Sequence, residues 1–246
     1  MRVRSVTVIL VLLSVCCTLA VRDSAAQGNA NPGVIPPNSQ YAQLSAQWWQ
    51  WVFSQPVVSN PLFDTTGALA ANGQPANGNV FFLAGLISPN GDPLSAHVER
   101  SITIAAGTRL FFPILNSEFD NVGVDPPFDV AQLRSFAAAS ISSVTSLYTT
   151  IDGRAVQNPA EYRTLSPVFS YTLPAVDNLY QFFNIDVSGT QYPAVGDGYY
   201  LLLTPLSPGR HTIAFGGTTQ TVDQYGNPAG IFHLDIVYHI TVKAGK

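Results

Sequence analysis

The longest regular pattern in the chain lies near its end. From Phe232 to Val242, the residues Leu234, Ile236, Tyr238, Ile240 and Val242 alternate with His233, Asp235, Val237, His239 and Thr241. That period of two puts one side of a strand in a core and the other toward solvent. Shorter apolar runs bounded by Gly, Pro, Asn and Asp read as further strands: Val80 to Leu86, Ser101 to Ile104, Arg109 to Leu115, Val168 to Leu173, Tyr199 to Thr204 and His211 to Phe215. The first three are expected to be adjacent antiparallel neighbours. Leu147 to Ile151 and Arg154 to Val156 flank Asp152-Gly153, the pair that suits a two-residue type I′ hairpin because both central residues take positive φ.

Two segments change to the helical period. From about residue 39 to 54, Tyr41, Leu44, Trp48, Trp51 and Val52 form one stripe flanked by Trp49 and Phe53, with Gln43, Gln47, Gln50 and Ser54 opposite. Asn38 or Ser39 caps its start, and Pro56 turns the chain away from helical geometry. From about 129 to 144, Asp129 can cap a helix with Val130, Leu133, Phe136, Ala137 and Ile141 on one side. Many strands with turn punctuation and two helices predict an all-β fold, a mainly antiparallel β-sandwich of jelly-roll or immunoglobulin-like type with two accessory helices.

The N-terminus adds a compartment. Arg2 and Arg4 precede an apolar run, and Ser24-Ala25-Ala26 offers small residues for cleavage, so residues 1–26 read as a secretory signal and the protein as secreted or periplasmic. The run is short and interrupted by Ser14 and Thr18, so no membrane span is expected after cleavage. Both cysteines, Cys16 and Cys17, fall within it; Val15 argues against lipid modification there, and the processed chain would carry no thiol. Residues 27–37, rich in Asn, Gly and Pro, read as a flexible tether. Residues 38–246 are left as one domain.

Charge narrows the partners. The formal net charge is -4, and loss of Arg2, Arg4, Arg22 and Asp23 would make it about -6. The remaining cations are scattered, which excludes a nucleic-acid surface and attachment to anionic lipid. No Gly-x-Ser-x-Gly elbow and no phosphate-cradling loop is present.

Four constellations can carry chemistry. No cofactor is expected, calcium being the one candidate: Asn116, Glu118, Asp120, Asn121 and Asp125 form an oxygen-rich loop around Gly123 that could supply several ligands, although the spacing is not that of an EF-hand and the same residues suit turn chemistry. His233, Asp235 and His239 share a strand face, but the histidines are about 20 Å apart, so a transition metal would need His97, Glu99 or His211 as well. Exposed aromatics stack on sugar rings: Trp49, Tyr180, Tyr192 and Tyr225, the last between Asp223 and Asn227, are the ligand-binding candidates. Glu99, Glu118 and Glu161 with several aspartates could pair for glycoside cleavage, although sequence gives no separation between them.

The string Leu44-Ser45-Ala46-Gln47-Trp48-Trp49-Gln50-Trp51, with Asp64-Thr65-Thr66-Gly67, Leu110-Phe111-Phe112-Pro113, and Asp197-Gly198-Tyr199-Tyr200 followed by Pro205-Leu206-Ser207-Pro208-Gly209-Arg210-His211-Thr212-Ile213, resembles a group of secreted bacterial proteins of uncharacterised activity. The resemblance implies export and a shared fold and transfers no site residues. The expectation is an exported, non-enzymatic β-sandwich that binds a glycan, a matrix polymer or an envelope protein. The alternatives are a carboxylate-dependent hydrolase of extracellular polymer, and an assembly protein with Trp49 and Phe53 at a subunit contact.

Overall fold

The strands close into two sheets that share a core. The computed structural model describes residues 31, 33–75, 79–87, 95–222 and 228–245, with backbone alone at 95, 221, 222, 228 and 229. The signal segment 1–26, both cysteines, and the candidates Asp223, Tyr225 and Asn227 lie outside the described residues. The first sheet runs β1 (Val80–Phe82), β3 (Arg109–Phe119), β8 (Gly189–Leu203), β6 (Arg163–Leu165), with β7 (Phe169–Leu173) also paired to β8. The second runs β2 (Ser95–Ala105), β10 (Pro228–Lys243), β9 (Gly209–Val222), β4 (Val144–Ile151), β5 (Arg154–Ala155).

The all-β fold with accessory helices is as expected, but neither sheet is purely antiparallel: β1 runs parallel to β3, and β2 parallel to β10. The three early strands are therefore not neighbours in one antiparallel sheet. β2 extends over 11 residues, longer than its apolar kernel, and pairs along its whole length with β10 from Ser95↔His233 to Ala105↔Lys243. The turn at Gly107, with φ of 81°, carries the chain from one sheet to the other. β1 stops at Phe82 because the next carbonyls are taken by side chains: Leu83 by the Trp48 indole, and Ala84 and Gly85 by Arg100.

The alternation in β10 is realised, with Leu234, Ile236, Tyr238, Ile240 and Val242 all buried. Phe215 of β9 stacks on Tyr238 and meets Phe112 of β3 at 4.6 Å, which locks sheet to sheet. Each such side chain contributes about 1.5–3 kcal/mol of burial free energy. The hairpin turns through Asp152 and Gly153 at φ of 50° and 76°, as its sequence requires.

Helix α1 (Ser39–Phe53) is capped by the Asn38 side chain, which accepts from Gln40 N–H, and buries Tyr41, Leu44, Trp48, Trp51, Val52 and Phe53. Helix α2 (Val130–Ser142) starts with a reciprocal capping box between Asp129 and Gln132. A third, α3 (Leu179–Phe182), spans 4 residues and is capped by Asn178 in the same way.

The expected tether is a docked arm where it is described. Val34 bridges to Leu203, Ile35 N–H donates to the Leu202 carbonyl, and Asn31 exchanges hydrogen bonds with Gln157 and reaches the Tyr162 hydroxyl. The apolar pair Val34-Ile35 supplies burial, and the edge of β8 supplies partners for the backbone. Residues Asn31–Lys246 form one compact unit.

Candidate functional site

Past the bulge between Pro113 and Leu115, the α1-facing side of β3 turns polar at every second position: Asn116, Glu118 and then Asp120. Directly across the ladder, Asn116 faces Gly198 and Glu118 faces Gly196, so the partner strand offers no side chain to cover them. The cover comes from other elements. Tyr171 of β7 and Tyr180 of α3 both donate to the same Asp120 carboxylate oxygen, Tyr180 at 2.6 Å, with the two hydroxyls 3.1 Å apart. Their rings continue a stack that runs Trp49, Phe53, Tyr171, Tyr180.

Asn178 holds α3 in place. Fully buried, it accepts from Tyr180 and Gln181 N–H and donates to the Pro174 and Val187 carbonyls.

Loss of solvent dominates the electrostatics here. Burial first, and then the charge of Asp120, push the Glu118 carboxyl well above the usual carboxylate range. One of its oxygens, Oε1, is covered and has no hydrogen-bond partner. Burial and the two acidic neighbours raise the Tyr171 and Tyr180 hydroxyls, so both act as donors at every physiological pH.

Beside this acid centre, Tyr200 of β8 stacks on Phe111 and is fully buried. Burial raises its hydroxyl; Asn116 and Trp49 come near enough to temper the rise, yet none of the three groups reaches hydrogen-bond geometry. Trp49 and Asn116 also line a recess of about 140 Å³ whose other walls include Trp48, Leu62, Pro113 and Leu234.

Two expectations from sequence thus merge, because Trp49 and Tyr180 from the aromatic set meet Asn116, Glu118 and Asp120 from the calcium set. The rest of each set is elsewhere. Asn121 is spent on the Phe128 backbone, accepting from its N–H and donating to its carbonyl, and Asp125 is exposed. Tyr192 is 70% exposed on the outer part of β8. Among the described residues no three His, Cys, Asp or Glu are grouped to hold a metal ion.

Tyr171 and Tyr200 did not stand out in the sequence, whereas Asn116 did, as the first residue of the oxygen-rich set. A legible signal existed: polar residues at period two continuing an apolar strand, opposite a Gly-Asp-Gly step. Arg100 was missed as well. Placed between Val98 and Ile102 on the core face of β2, it is fully buried and donates to the Asp64, Ala84 and Gly85 carbonyls and to Tyr238 Oη, with its guanidinium over the Tyr238 ring.

The histidines of the second sheet are each committed separately. Asp235 pairs with His97 at 2.7 Å and accepts from Tyr148; burial alone would raise its carboxyl, but these donors bring it below the ordinary value. His239 pairs with Glu99 at 3.2 Å, and His233 bonds Thr218. His211 lies between Asp152 and Ser207, an order that suggests a nucleophile. Its Nδ1 faces Asp152 at 2.8 Å, but its Nε2 faces the Ser207 carbonyl at 2.8 Å and the hydroxyl only at 3.4 Å. Burial would lower this imidazole, yet acceptors on both nitrogens raise it. A ring donating from both sides has no lone pair with which to activate serine.

An apolar cap surrounds α3. Val58 and Val176 are 79% and 73% exposed, Phe182 and Phe183 43% and 50%, and Ile185 38%. Asp177 ties the turn at Val57–Ser59 to this segment through the Val57 and Val58 N–H groups, and Phe63 packs against Phe182 at 4.7 Å.

No family model matches the chain, and no curated protein matches it in sequence. Among solved structures, a cysteine protease inhibitor from Entamoeba histolytica is 12% identical over 61% of this chain and 93% of that one, with a TM-score of 0.20, an overlap too slight to carry fold or function across.

Proposed function

We propose that this chain is an exported, non-enzymatic binding protein that engages an envelope protein through the apolar cap at α3. The observation that carries the reading is the exposure of Val58, Val176, Phe182, Phe183 and Ile185 on one segment and the turn tied to it. A monomeric soluble domain seldom leaves so many large apolar side chains together without a use. The segment contributes Asp177 and Asp186, and from Thr164 to Gly209 the chain has no Lys or Arg. The matching partner face is apolar with basic residues at its margin, and an anionic lipid surface is disfavoured by the same charges.

A hydrolytic reading is weaker. Asp120 is capped by Tyr171 and Tyr180, Glu118 is buried, and both His211 nitrogens face acceptor oxygens.

The test is in-cell photo-crosslinking, with a photoreactive amino acid in place of Phe183 and, as control, of Tyr192. The expected result is a discrete protein adduct from position 183, lost in Val176→Asp and absent from position 192. No adduct at 183, or the same adducts from both positions, overturns the reading. Retention on a polysaccharide resin that Tyr192→Ala abolishes would point to a glycan on the β8 face in its place.

A further inference from the structure

Two rows of polar side chains cross the second sheet near the end of β10. Register fixes them: Ser101 of β2, His239 of β10 and Thr212 of β9 lie side by side in one row, and Thr103, Thr241 and Arg210 in the next. All six alternate with the buried Ile102, Ile213 and Ile240, so they stand on the outer face. Together they border a depression of about 460 Å³. Four of them are short hydroxyl side chains set between the longer His239 and Arg210. Among the described residues, Arg100, Arg109, Arg134 and Arg163 are committed to protein acceptors. The Arg210 guanidinium and the hydroxyls of Ser101, Thr103, Thr212 and Thr241 have no protein partner.

Spacing and charge define what fits. Three strands about 4.8 Å apart and two rows about 6.6 Å apart spread the six groups over roughly 10 Å by 7 Å, room for one or two sugar rings. Hydroxyls that both donate and accept match the hydroxyls of such a ring. No acid stands in either row. The nearest two are held by histidines, Glu99 by His239 at 3.2 Å and Asp152, beside the Thr212 backbone, by His211 at 2.8 Å. The Arg210 fork thus meets no competing carboxylate within its rows and suits a planar one from outside. One guanidinium balances one negative charge, which favours a carboxylate over a doubly charged phosphate ester. Lys243 stands further along the same face, past Thr241, where a second charged unit would reach. We infer that this depression binds a sugar acid, a hydroxylated ring with one carboxylate per unit, the carboxylate on Arg210 and the ring hydroxyls on Ser101, Thr103, Thr212 and Thr241. It shares no residue with the α3 cap, so the outcome of one test does not decide the other.

Backbone amide signals of the ¹⁵N-labelled purified protein report the site directly. Trigalacturonate should move those of Thr103, Thr212 and Thr241 saturably and leave those of Val176 and Tyr192 in place. Its methyl ester, which keeps the rings and removes the charge, should bind at least about tenfold more weakly, the value of a charge-assisted hydrogen bond. Acetate, which keeps the charge and has no ring, should be weaker by a similar factor. Arg210→Gln should lower the affinity for trigalacturonate about tenfold or more and leave that for the ester unchanged. Thr241→Val keeps the shape and the β propensity of an exposed strand position and should cost about fivefold for both. Unmoved signals at millimolar trigalacturonate overturn the inference. Equal affinity for the ester, equal affinity for acetate, or binding that survives Arg210→Gln does the same.

Discussion

Trp49 rests on Gly196: a Cβ on that glycine would stand 3.0 Å from the indole nitrogen and 3.2 Å from the adjacent ring carbon. The neighbouring Gly198 is tighter, with Asn116 Cβ at 2.6 Å and the Leu115 carbonyl oxygen at 2.8 Å. The Gly-Asp-Gly step of β8 is therefore what leaves room for the Trp49 ring of α1 and the Asn116 side chain of β3 over this part of the sheet, where the polar side of β3 is buried.

Gly196→Ala should cost about 1–3 kcal/mol through overpacking, because the indole can shift. Gly198→Ala should cost more, because backbone stands in the way. Urea denaturation measures both. Tryptophan fluorescence should change in the first variant, and an unperturbed spectrum with unchanged stability would contradict the packing described.

Glu118 makes stability depend on pH in a defined direction. Its carboxyl is raised in the folded protein, so between the ordinary glutamate value near 4.3 and the raised folded value, the native state holds a proton that the unfolded state has released. Stability then falls as pH rises through that window. Glu118→Gln keeps the shape and removes the titration. The variant should match the wild type near pH 4 and exceed it near pH 8, and a variant weaker at both would show that the carboxyl is needed ionised.

Arg100→Lys should destabilise by about 2–5 kcal/mol, since an ammonium cannot reproduce the fork that serves three carbonyls and Tyr238, and at least one buried carbonyl loses its donor. Chemical denaturation at constant pH gives the value. Trp48, whose indole donates to Leu83 in the same loop, should change its fluorescence with it.

The His211–Asp152 pair sets a second pH window. The raised imidazole contributes stability that is complete below about 6.5 and is lost as pH rises through its folded value, while the lowered Asp152 carboxyl contributes stability that is lost as pH falls through its own. The advantage of wild type over Asp152→Asn should therefore peak between about pH 4 and 6.5. Asparagine accepts the positive φ of 50° at this turn position, so the hairpin survives. A pH-independent difference in melting temperature would show that the pair is not ionic.

Local patterns made much of the fold readable. The alternation in β10, the caps at Asn38 and Asp129, and the Asp152-Gly153 turn depend on neighbours within a few residues, and each formed as its residues require. Sheet membership was not readable, because β2 and β3 are joined by a turn that would equally serve a hairpin, and the choice went to β10, more than 120 residues away in the chain.

The candidate site divides in the same way. Residue chemistry alone singled out Trp49, Tyr180, Glu118 and Asp120 as groups able to contact a ligand. That they face one another was decided by the β3–β8 register, the β3 bulge and the capped turn of α3.

By itself the sequence determined the all-β class, the two longer helices and the polarity of each strand face, since propensity, capping and period act locally. The tertiary structure alone decided which strands pair, that the arm at Val34 docks on β8, and that an acid, three tyrosines and an unmet indole share one buried corner. Those outcomes rest on burial and on hydrogen bonds between residues distant in the chain, whose free energies depend on what each group loses to water and finds in the fold.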